Sequence, residues 1–235
     1  MVAFDPRTAV PSKWSLAPED VLGLVFWTRK PTTLIKNSGS LKPFPLVIHM
    51  TITGWEEVEI GAPDMHRSLD LMAKAVDVFG AENVTWRFSP IPAVEDMVER
   101  FDRIARSVES LGIRSVYVAF LQNNDLIPEQ RSLVTRQELL LQMSRQAKGM
   151  QVLVCNEDRV LDDLACPDNL GYGVCEDGRR FKRQGMSHEA CGCAHSVDPF
   201  TITEACSIGC QYCYAADKSL AATKKNTTKG LWILP

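Results

Sequence analysis

The chain has 235 residues, of which 45% are hydrophobic and 23% charged, and its formal net charge is −3. This composition is enough for one sizeable core, and the weakly acidic balance excludes a general attraction for nucleic acid or an anionic membrane. The N-terminus lacks the basic start and apolar stretch of a secretory signal, and the longest apolar run, VLGLVFW, is too short to span a bilayer. We therefore expect a cytoplasmic protein that does not enter a membrane, in which the cysteine content reflects metal or cluster binding rather than a disulfide framework.

Six segments have the pattern of buried parallel strands. Five of them are apolar at the start and polar at the end: LGLVFWTRKP (22–31), LVIHMTITG (46–54), NVTWRFSPI (83–91), RSVYVAFLQ (114–122) and MQVLVCNED (150–158). The sixth, DPFTITEAC (198–206), leads directly into a group of cysteines. Polar strand ends of this kind are typical of sheets whose C-terminal edge opens onto a site.

Helical patterns lie between these strands. Residues 64–79 begin at Asp64 and stop before Gly80, and residues 93–111 carry an apolar stripe with a period of 3.6 residues. Thr135 and Glu138 predict a capping box for a further helix that ends near Gly149. Alternating strands and helices predict an α/β fold with a parallel sheet.

The predicted domain organisation is a single domain over residues 1–235. Residues 159–199 are rich in Gly, Asp and Cys and are expected to form an ordered loop region inserted into this domain. Residues 200–216 are expected to hold the last strand and the cysteine loop.

Three cysteines near the end of the chain carry the strongest chemical signal. Cys206, Cys210 and Cys213 have the spacing C-x3-C-x2-C and are followed by Tyr214. Thiolate sulfur suits zinc or iron–sulfur clusters, and a closed structural zinc site needs four ligands. Three ligands on one loop can instead hold three corners of a cubane cluster and leave one iron open to a substrate or cofactor.

This motif resembles the signature of the radical S-adenosylmethionine enzymes. The resemblance implies a 4Fe–4S cluster, S-adenosylmethionine bound to its open iron, and a 5′-deoxyadenosyl radical that attacks an unknown substrate. It also implies a partial (βα)6 parallel barrel. Because the cluster-bearing strand comes last here and first in that superfamily, the barrel would be circularly permuted.

A narrower resemblance rests on FWTRKP, TITG, WRFSPI and CGCAHSVDPFTITEACSIGCQYCYAA. These segments are similar to a bacterial and archaeal family described as a domain of unknown function, whose members carry a radical-SAM-type cysteine cluster at the C-terminus. Its barrel segments resemble those of spore photoproduct lyase. The likeness implies a reductant such as flavodoxin or ferredoxin, and nucleic acid enters as a substrate class only through it.

A second set of cysteines lies upstream. Cys191 and Cys193 form C-x-C, Cys175 precedes them, and Cys155 lies at the tip of the fifth predicted strand. Together they could hold a second 4Fe–4S cluster or a zinc ion, or they could be unmetallated thiols. Cys166 fits neither set, so it is expected to be a buried free cysteine, with a hydrogen-donor or resolving thiol as the alternative.

The cofactor also needs polar partners. The expected ones lie mainly at strand ends, and Arg87 is preferred for the carboxylate because a guanidinium binds carboxylate in a fork. The full set is Arg29, Lys30, Thr53, Arg87, Ser89, Gln122, Asn123 and Tyr212.

No catalytic residue is assigned. His49, Trp27 and Trp86 are expected in the core, and His195 is a weak alternative ligand beside C-x-C.

Two other functions stay open on the sequence. A non-catalytic iron–sulfur protein could move electrons or sense redox state with the same cysteines. A zinc-stabilised binding module would use them without redox chemistry. The three-ligand count favours the enzyme over the module, and an independent barrel with polar strand ends favours it over the electron carrier.

Overall fold

The computed structural model describes residues 2–4, 11–13, 15, 17–91, 95–121, 132–155, 157, 159–177, 181, 193 and 208–213. The chain divides into two compact units. The larger unit comprises Leu22–Gly54 and Pro63–His195, and the smaller unit comprises Met1–Val21, Trp55–Ala62 and Ser196–Pro235. In the smaller unit, β1 (Val2–Phe4) pairs antiparallel with β2 (Pro11–Lys13).

The larger unit is built on a six-stranded parallel sheet whose strands follow one another in chain order. This is the arrangement of a partial parallel barrel. The strands are β3 (Leu24–Thr28), β4 (Leu46–Thr51), β5 (Val84–Ile91), β6 (Ser115–Phe120), β7 (Gln151–Val154) and β8 (Leu170–Tyr172). The predicted α/β class and parallel sheet are therefore confirmed.

The sixth strand differs from the prediction. Leu170–Tyr172 pairs with Val152–Val154, inside the segment 159–199 that was expected to be loop. It is only three residues long and contains Gly171, so it lacks the apolar alternation that identifies a strand in sequence. The strand predicted at 198–206 lies outside the described residues.

Five helices accompany the strands within the described ranges: α1 (Thr32–Lys36), α2 (Ser38–Leu41), α3 (Met65–Phe79), α4 (Met97–Ser110) and α5 (Leu133–Gln146), with a 3-10 turn at Ala81–Asn83. As predicted, α3 starts at Asp64, whose side chain accepts the backbone N–H of Arg67 at 2.8 Å, and stops at Gly80, where φ is +86°. The capping prediction for α5 is wrong. Its cap is Ser132, whose hydroxyl accepts the backbone N–H of Thr135 itself.

The two faces of the sheet differ in chemistry. The face toward α3, α4 and α5 is apolar and buried, with Ile48, Met50, Trp86, Phe88, Val116, Val118, Val152 and Val154 in the core. Trp86 is wholly buried, as expected. Because paired positions of a parallel sheet point the same way, the register Thr51–Arg87–Tyr117–Leu153 puts polar and aromatic groups on the opposite face. In the described part of the chain, no helix is long and apolar enough to cross a membrane.

Candidate metal centres

Three cysteines from separate segments of the larger unit come together. The Cys155 Sγ lies 3.6 Å from the Cys175 Sγ, which lies 3.5 Å from the Cys193 Sγ. Cys155 and Cys193 are each 5% exposed, and Cys175 is partly buried. Three of the four cysteines of the second predicted set are therefore in contact, and Cys191 lies outside the described residues. We call Cys155, Cys175 and Cys193 the thiol triad.

The end of β7 positions the first member of the triad. Cys155 directly follows Val154, and its backbone N–H continues the sheet by donating to the Val118 carbonyl at 2.9 Å. Two residues further on, the Glu157 carboxylate accepts the backbone N–H of Phe120 and the Arg136 guanidinium, both at 2.9 Å. The chain on the far side of Cys155 is therefore anchored to β6 and α5.

The turn after β8 positions the second member. Gly173 donates its N–H to the Val154 carbonyl at 2.8 Å. A Cβ on Gly173 would lie 2.7 Å from both the Leu153 Cβ and the Tyr117 Cε1, closer than such atoms approach. Glycine is therefore required for the chain to pass under the Tyr117 ring and reach Cys175.

Two side chains on the polar face of the sheet hydrogen-bond to the turn after β8. The Tyr117 hydroxyl donates to the Val174 carbonyl at 2.9 Å, and the His49 Nε2 lies 2.8 Å from the Cys175 carbonyl oxygen. Since a carbonyl oxygen only accepts, the Nε2 carries the hydrogen. His49 is 1% exposed and stacks on Trp27 at 5.7 Å between ring centroids. His49 is thus the hydrogen-bonded, buried residue that was expected.

Neighbouring groups shift the pKa values of Cys175 and of Tyr117. The hydrogen bond with the Cys155 thiol and then burial raise the pKa of Cys175 above its ordinary value, and the positive charge of Arg87 offsets this only in part. Burial, and next the negative charge of the neighbouring cysteines, raises the pKa of Tyr117 to about 12. The phenol is therefore a neutral donor at physiological pH, and Arg87 is the nearby cation that favours thiolates.

The second cysteine region lies in the smaller unit and is local in sequence. Cys213 donates its backbone N–H to the Cys210 carbonyl at 3.0 Å, which closes a tight turn. Gly209 has φ of +59°, a conformation that favours glycine. Cys210 is buried and Cys213 partly exposed. The C-x2-C spacing is thus folded into a turn, and Cys206 lies outside the described residues.

The segment after Gly54 anchors this turn. Gln211 donates its N–H to the Val58 carbonyl at 3.0 Å, and Gly61 donates to the Ile208 carbonyl at 2.8 Å. Tyr212 stacks on Trp55 at 5.7 Å and donates its hydroxyl to the Glu59 Oε1 at 2.5 Å. Glu59 is buried, so this hydrogen bond satisfies a carboxylate oxygen away from solvent.

The predicted cofactor partners are spread over the larger unit, except Tyr212. Thr53 is buried, Arg29 and Ser89 are partly buried, and Lys30 is exposed, with its backbone N–H on the Thr28 hydroxyl at 3.0 Å. Gln122 and Asn123 lie outside the described residues, as does His195. Their role as cofactor partners stays a prediction.

Two expectations are wrong, and one group was missed. Cys166 is exposed rather than buried, and Trp27 is 48% exposed rather than a core residue, since it stacks on His49 from the solvent side. Tyr117 was not predicted. The signal was present, because it occupies the same alternating face of β6 as the polar residues of the neighbouring strands.

The cysteines of both regions are potential metal donors. Within the described ranges, no group of three or more His, Cys, Asp or Glu side chains is already arranged around a metal position. None of the six cysteines in these ranges forms a disulfide. Three buried or half-buried thiols in contact, and two thiols on one turn, are donor types that suit zinc or iron–sulfur chemistry.

The fold and these cysteines define an α/β protein with a six-stranded parallel sheet, consistent with a partial barrel, and two cysteine regions. The profile of Domain of unknown function (DUF1848) matches residues 2–215, and the chain belongs to that family. The expected membership in a family of unknown function is thereby confirmed. Comparison with curated proteins gives no match.

Two solved structures are similar to the chain. An O-GlcNAc hydrolase mutant from Thermobaculum terrenum has 15% identity and a TM-score of 0.42, with 68% of this chain and 45% of that one covered. A xylose isomerase domain protein from Planctomyces limnophilus has 10% identity and a TM-score of 0.35, with 64% and 61% covered. The chain thus spans less than two thirds of either structure.

Proposed function

We propose that this chain is an iron–sulfur protein of the radical S-adenosylmethionine type. In this proposal Cys206, Cys210 and Cys213 hold a 4Fe–4S cluster, and S-adenosylmethionine binds at the iron they leave open. The observation that carries it is the Cys210–Cys213 turn, which presents two thiols of the C-x3-C-x2-C motif from one short loop. Such a loop suits a cluster with three cysteine ligands.

The residues around this turn have a supporting role in the proposal. The stacking of Tyr212 on Trp55 and its hydrogen bond to Glu59 fix the backbone between the two cysteines. A rigid loop holds ligands at constant positions, which a redox centre needs. When bound, the cluster would supply the electron that cleaves S-adenosylmethionine, while the protein binds, orients and excludes water.

The proposal includes a circularly permuted barrel. The cysteine motif follows the six strands of the sheet in sequence, whereas a radical S-adenosylmethionine barrel has it after the first strand. Chain termini often lie close together in domains, so a permutation of this kind is physically tolerable. A reducing cytoplasm fits the lack of disulfides among the six cysteines of the described ranges, and a flavodoxin or ferredoxin would then supply electrons.

The test uses anaerobically purified protein reconstituted with iron and sulfide. S-adenosylmethionine and dithionite are added, and 5′-deoxyadenosine is measured by mass spectrometry. We expect product from the wild type and from Cys166→Ala, whose thiol is exposed and outside both regions. We expect none from a variant with Cys206→Ala, Cys210→Ala and Cys213→Ala.

Two results would contradict the proposal. Iron bound without product, and without a change of the cluster's EPR spectrum on adding S-adenosylmethionine, would leave an electron carrier or redox sensor. Zinc at the C-terminal motif in place of iron would leave a zinc-stabilised module.

A further inference from the structure

We propose that Cys155, Cys175 and Cys193 are three of the four ligands of a single tetrahedral metal ion, zinc by its chemistry, and do not bind a second iron–sulfur cubane. This site uses other cysteines than the C-terminal motif and does not depend on the function proposed for that motif. Its role is to tie the ends of β7 and β8 to the segment that carries Cys193.

The sulfur–sulfur distances favour one ion. Zinc binds thiolate at about 2.3 Å, so two sulfurs on a tetrahedral zinc lie about 3.8 Å apart. The triad has 3.6 Å between Cys155 and Cys175 and 3.5 Å between Cys175 and Cys193. These two pairs would need to separate by only about 0.2–0.3 Å to reach the spacing of two sulfurs on one zinc ion.

The same distances disfavour a cubane and a disulfide. In a 4Fe–4S cluster each cysteine binds a different iron at a corner of the cube, so the sulfurs stand well beyond mutual contact. A disulfide requires a sulfur–sulfur bond of about 2.05 Å and uses two cysteines. Here Cys175 contacts two other thiols at non-bonded distance. A shared ion satisfies all three sulfurs at once.

The surroundings suit a negatively charged thiolate site. Zinc with three thiolates carries a net charge of about −1, and this charge needs a neighbouring cation when it is half-buried. Arg87 supplies a cation on the polar face of the sheet, in register with Tyr117, whose hydroxyl holds the turn that carries Cys175.

Hydrogen bonds to the backbone beside the ligands hold the cysteines in place, as is usual around structural metals. The Tyr117 hydroxyl and the His49 Nε2 bind the carbonyls of Val174 and Cys175, so the turn carrying the central thiol is fixed from the sheet. Glu157 anchors the chain beyond Cys155 through Phe120 and Arg136. Two of the three ligands are therefore held by the fold before a metal binds.

The expected benefit is stability of the sheet edge. β8 has three residues and pairs only with β7 among the described strands, so few backbone hydrogen bonds hold it. A metal that binds the folded state and not the unfolded chain stabilises the fold by mass action. One ion bound to all three cysteines would tie the end of β8 to the end of β7 and to the segment that carries Cys193.

The first test measures zinc and iron in the full chain by elemental mass spectrometry after purification without added metal. We expect about one zinc per chain in the wild type. In Cys155→Ser, Cys175→Ser and Cys193→Ser, zinc should fall at least about tenfold, because each loses a ligand. Cys166→Ser is the matched control and should keep its zinc, since that thiol is exposed and outside the triad.

A second measurement keeps the proposal testable if the serine variants fold poorly. Zinc-edge X-ray absorption of the wild type should show at least three sulfur ligands at about 2.3 Å. A zinc shell of nitrogen and oxygen, a wild-type protein without zinc, or serine variants that keep zinc but lose iron would each overturn the proposal. Loss of 5′-deoxyadenosine formation alone would not bear on it, because that readout belongs to the C-terminal motif.

Discussion

The two cysteine regions of this chain are built in opposite ways. Cys210 and Cys213 are three residues apart and share one turn closed by a backbone hydrogen bond. Cys155, Cys175 and Cys193 are separated by about twenty residues each, and their thiols meet because of strand ends, a glycine and a buried tyrosine. The first region is encoded by local spacing, and the second is a product of the tertiary fold.

This difference has a consequence for stability. A ligand pair on one turn keeps its geometry as long as that turn survives. Ligands from three segments keep theirs only while the whole sheet edge is intact. Substitutions that disturb packing near β7 and β8 should therefore remove metal from the triad and leave the C-terminal motif loaded.

The largest expected effect is that of Gly173→Ala. The new Cβ would lie 2.7 Å from the Leu153 Cβ and from the Tyr117 ring, so the turn carrying Cys175 must move. We expect a loss of about 3 kcal/mol in the free energy of unfolding, measured by urea titration, together with loss of zinc.

Gly171→Ala is the matched control for that variant. It lies two residues earlier, and a Cβ there meets nothing within 4 Å. Its stability and zinc content should stay close to those of the wild type. Equal destabilisation by both alanines would contradict the steric argument for Gly173.

A smaller effect is expected for Arg136→Ala. The Glu157 side chain is 1% exposed and would lose its guanidinium partner, keeping the backbone N–H of Phe120. Because Arg136 is itself partly exposed, we expect a cost of about 2 kcal/mol rather than the full cost of breaking a buried pair. Thermal unfolding followed by circular dichroism would measure it.

Arg106→Ala serves as the comparison. Its partner is Asp102, and the Arg106 side chain is 71% exposed on α4. An exposed pair four residues apart on a helix contributes less than about 0.5 kcal/mol. If the two arginine variants lose the same stability, Glu157 does not anchor the chain beyond Cys155.

The smallest effect is expected for Tyr212→Phe. The ring keeps its stacking on Trp55, but the buried Glu59 loses a hydrogen-bond donor, at a cost of about 1 kcal/mol. Iron retention after reconstitution should fall modestly, and zinc content should not change. A loss of zinc in this variant would mean that the two regions are coupled rather than separate.

The sequence predicted those features that depend on local pattern. The strands β3 to β7 follow continuous apolar runs, and α3 carries Asp64 and Gly80 at its ends, so both were located correctly. The position of Cys155 at the end of a strand could be predicted, because the apolar run of β7 comes directly before it. These elements are determined by residues close together in the chain.

What the sequence did not predict depends on distant partners. β8 is a strand only because Val152–Val154 offers it an unpaired edge, which its own three residues do not reveal. Ser132 caps α5 because its hydroxyl reaches the Thr135 N–H, and an equally plausible capping residue stood three positions later. The second cysteine set was named from the sequence, but the distances between the thiols of Cys155, Cys175 and Cys193 follow only from the fold, because each lies on a different segment.

The most direct test of two separate metal sites is a paired measurement of iron and zinc in three full-length proteins. These are the wild type, Cys175→Ser and Cys213→Ser, each reconstituted anaerobically with iron and sulfide. The account predicts about four irons and one zinc in the wild type, loss of zinc alone in Cys175→Ser, and loss of iron alone in Cys213→Ser. Loss of iron in Cys175→Ser with its C-terminal motif intact would contradict the account and indicate a second iron–sulfur cluster at the triad.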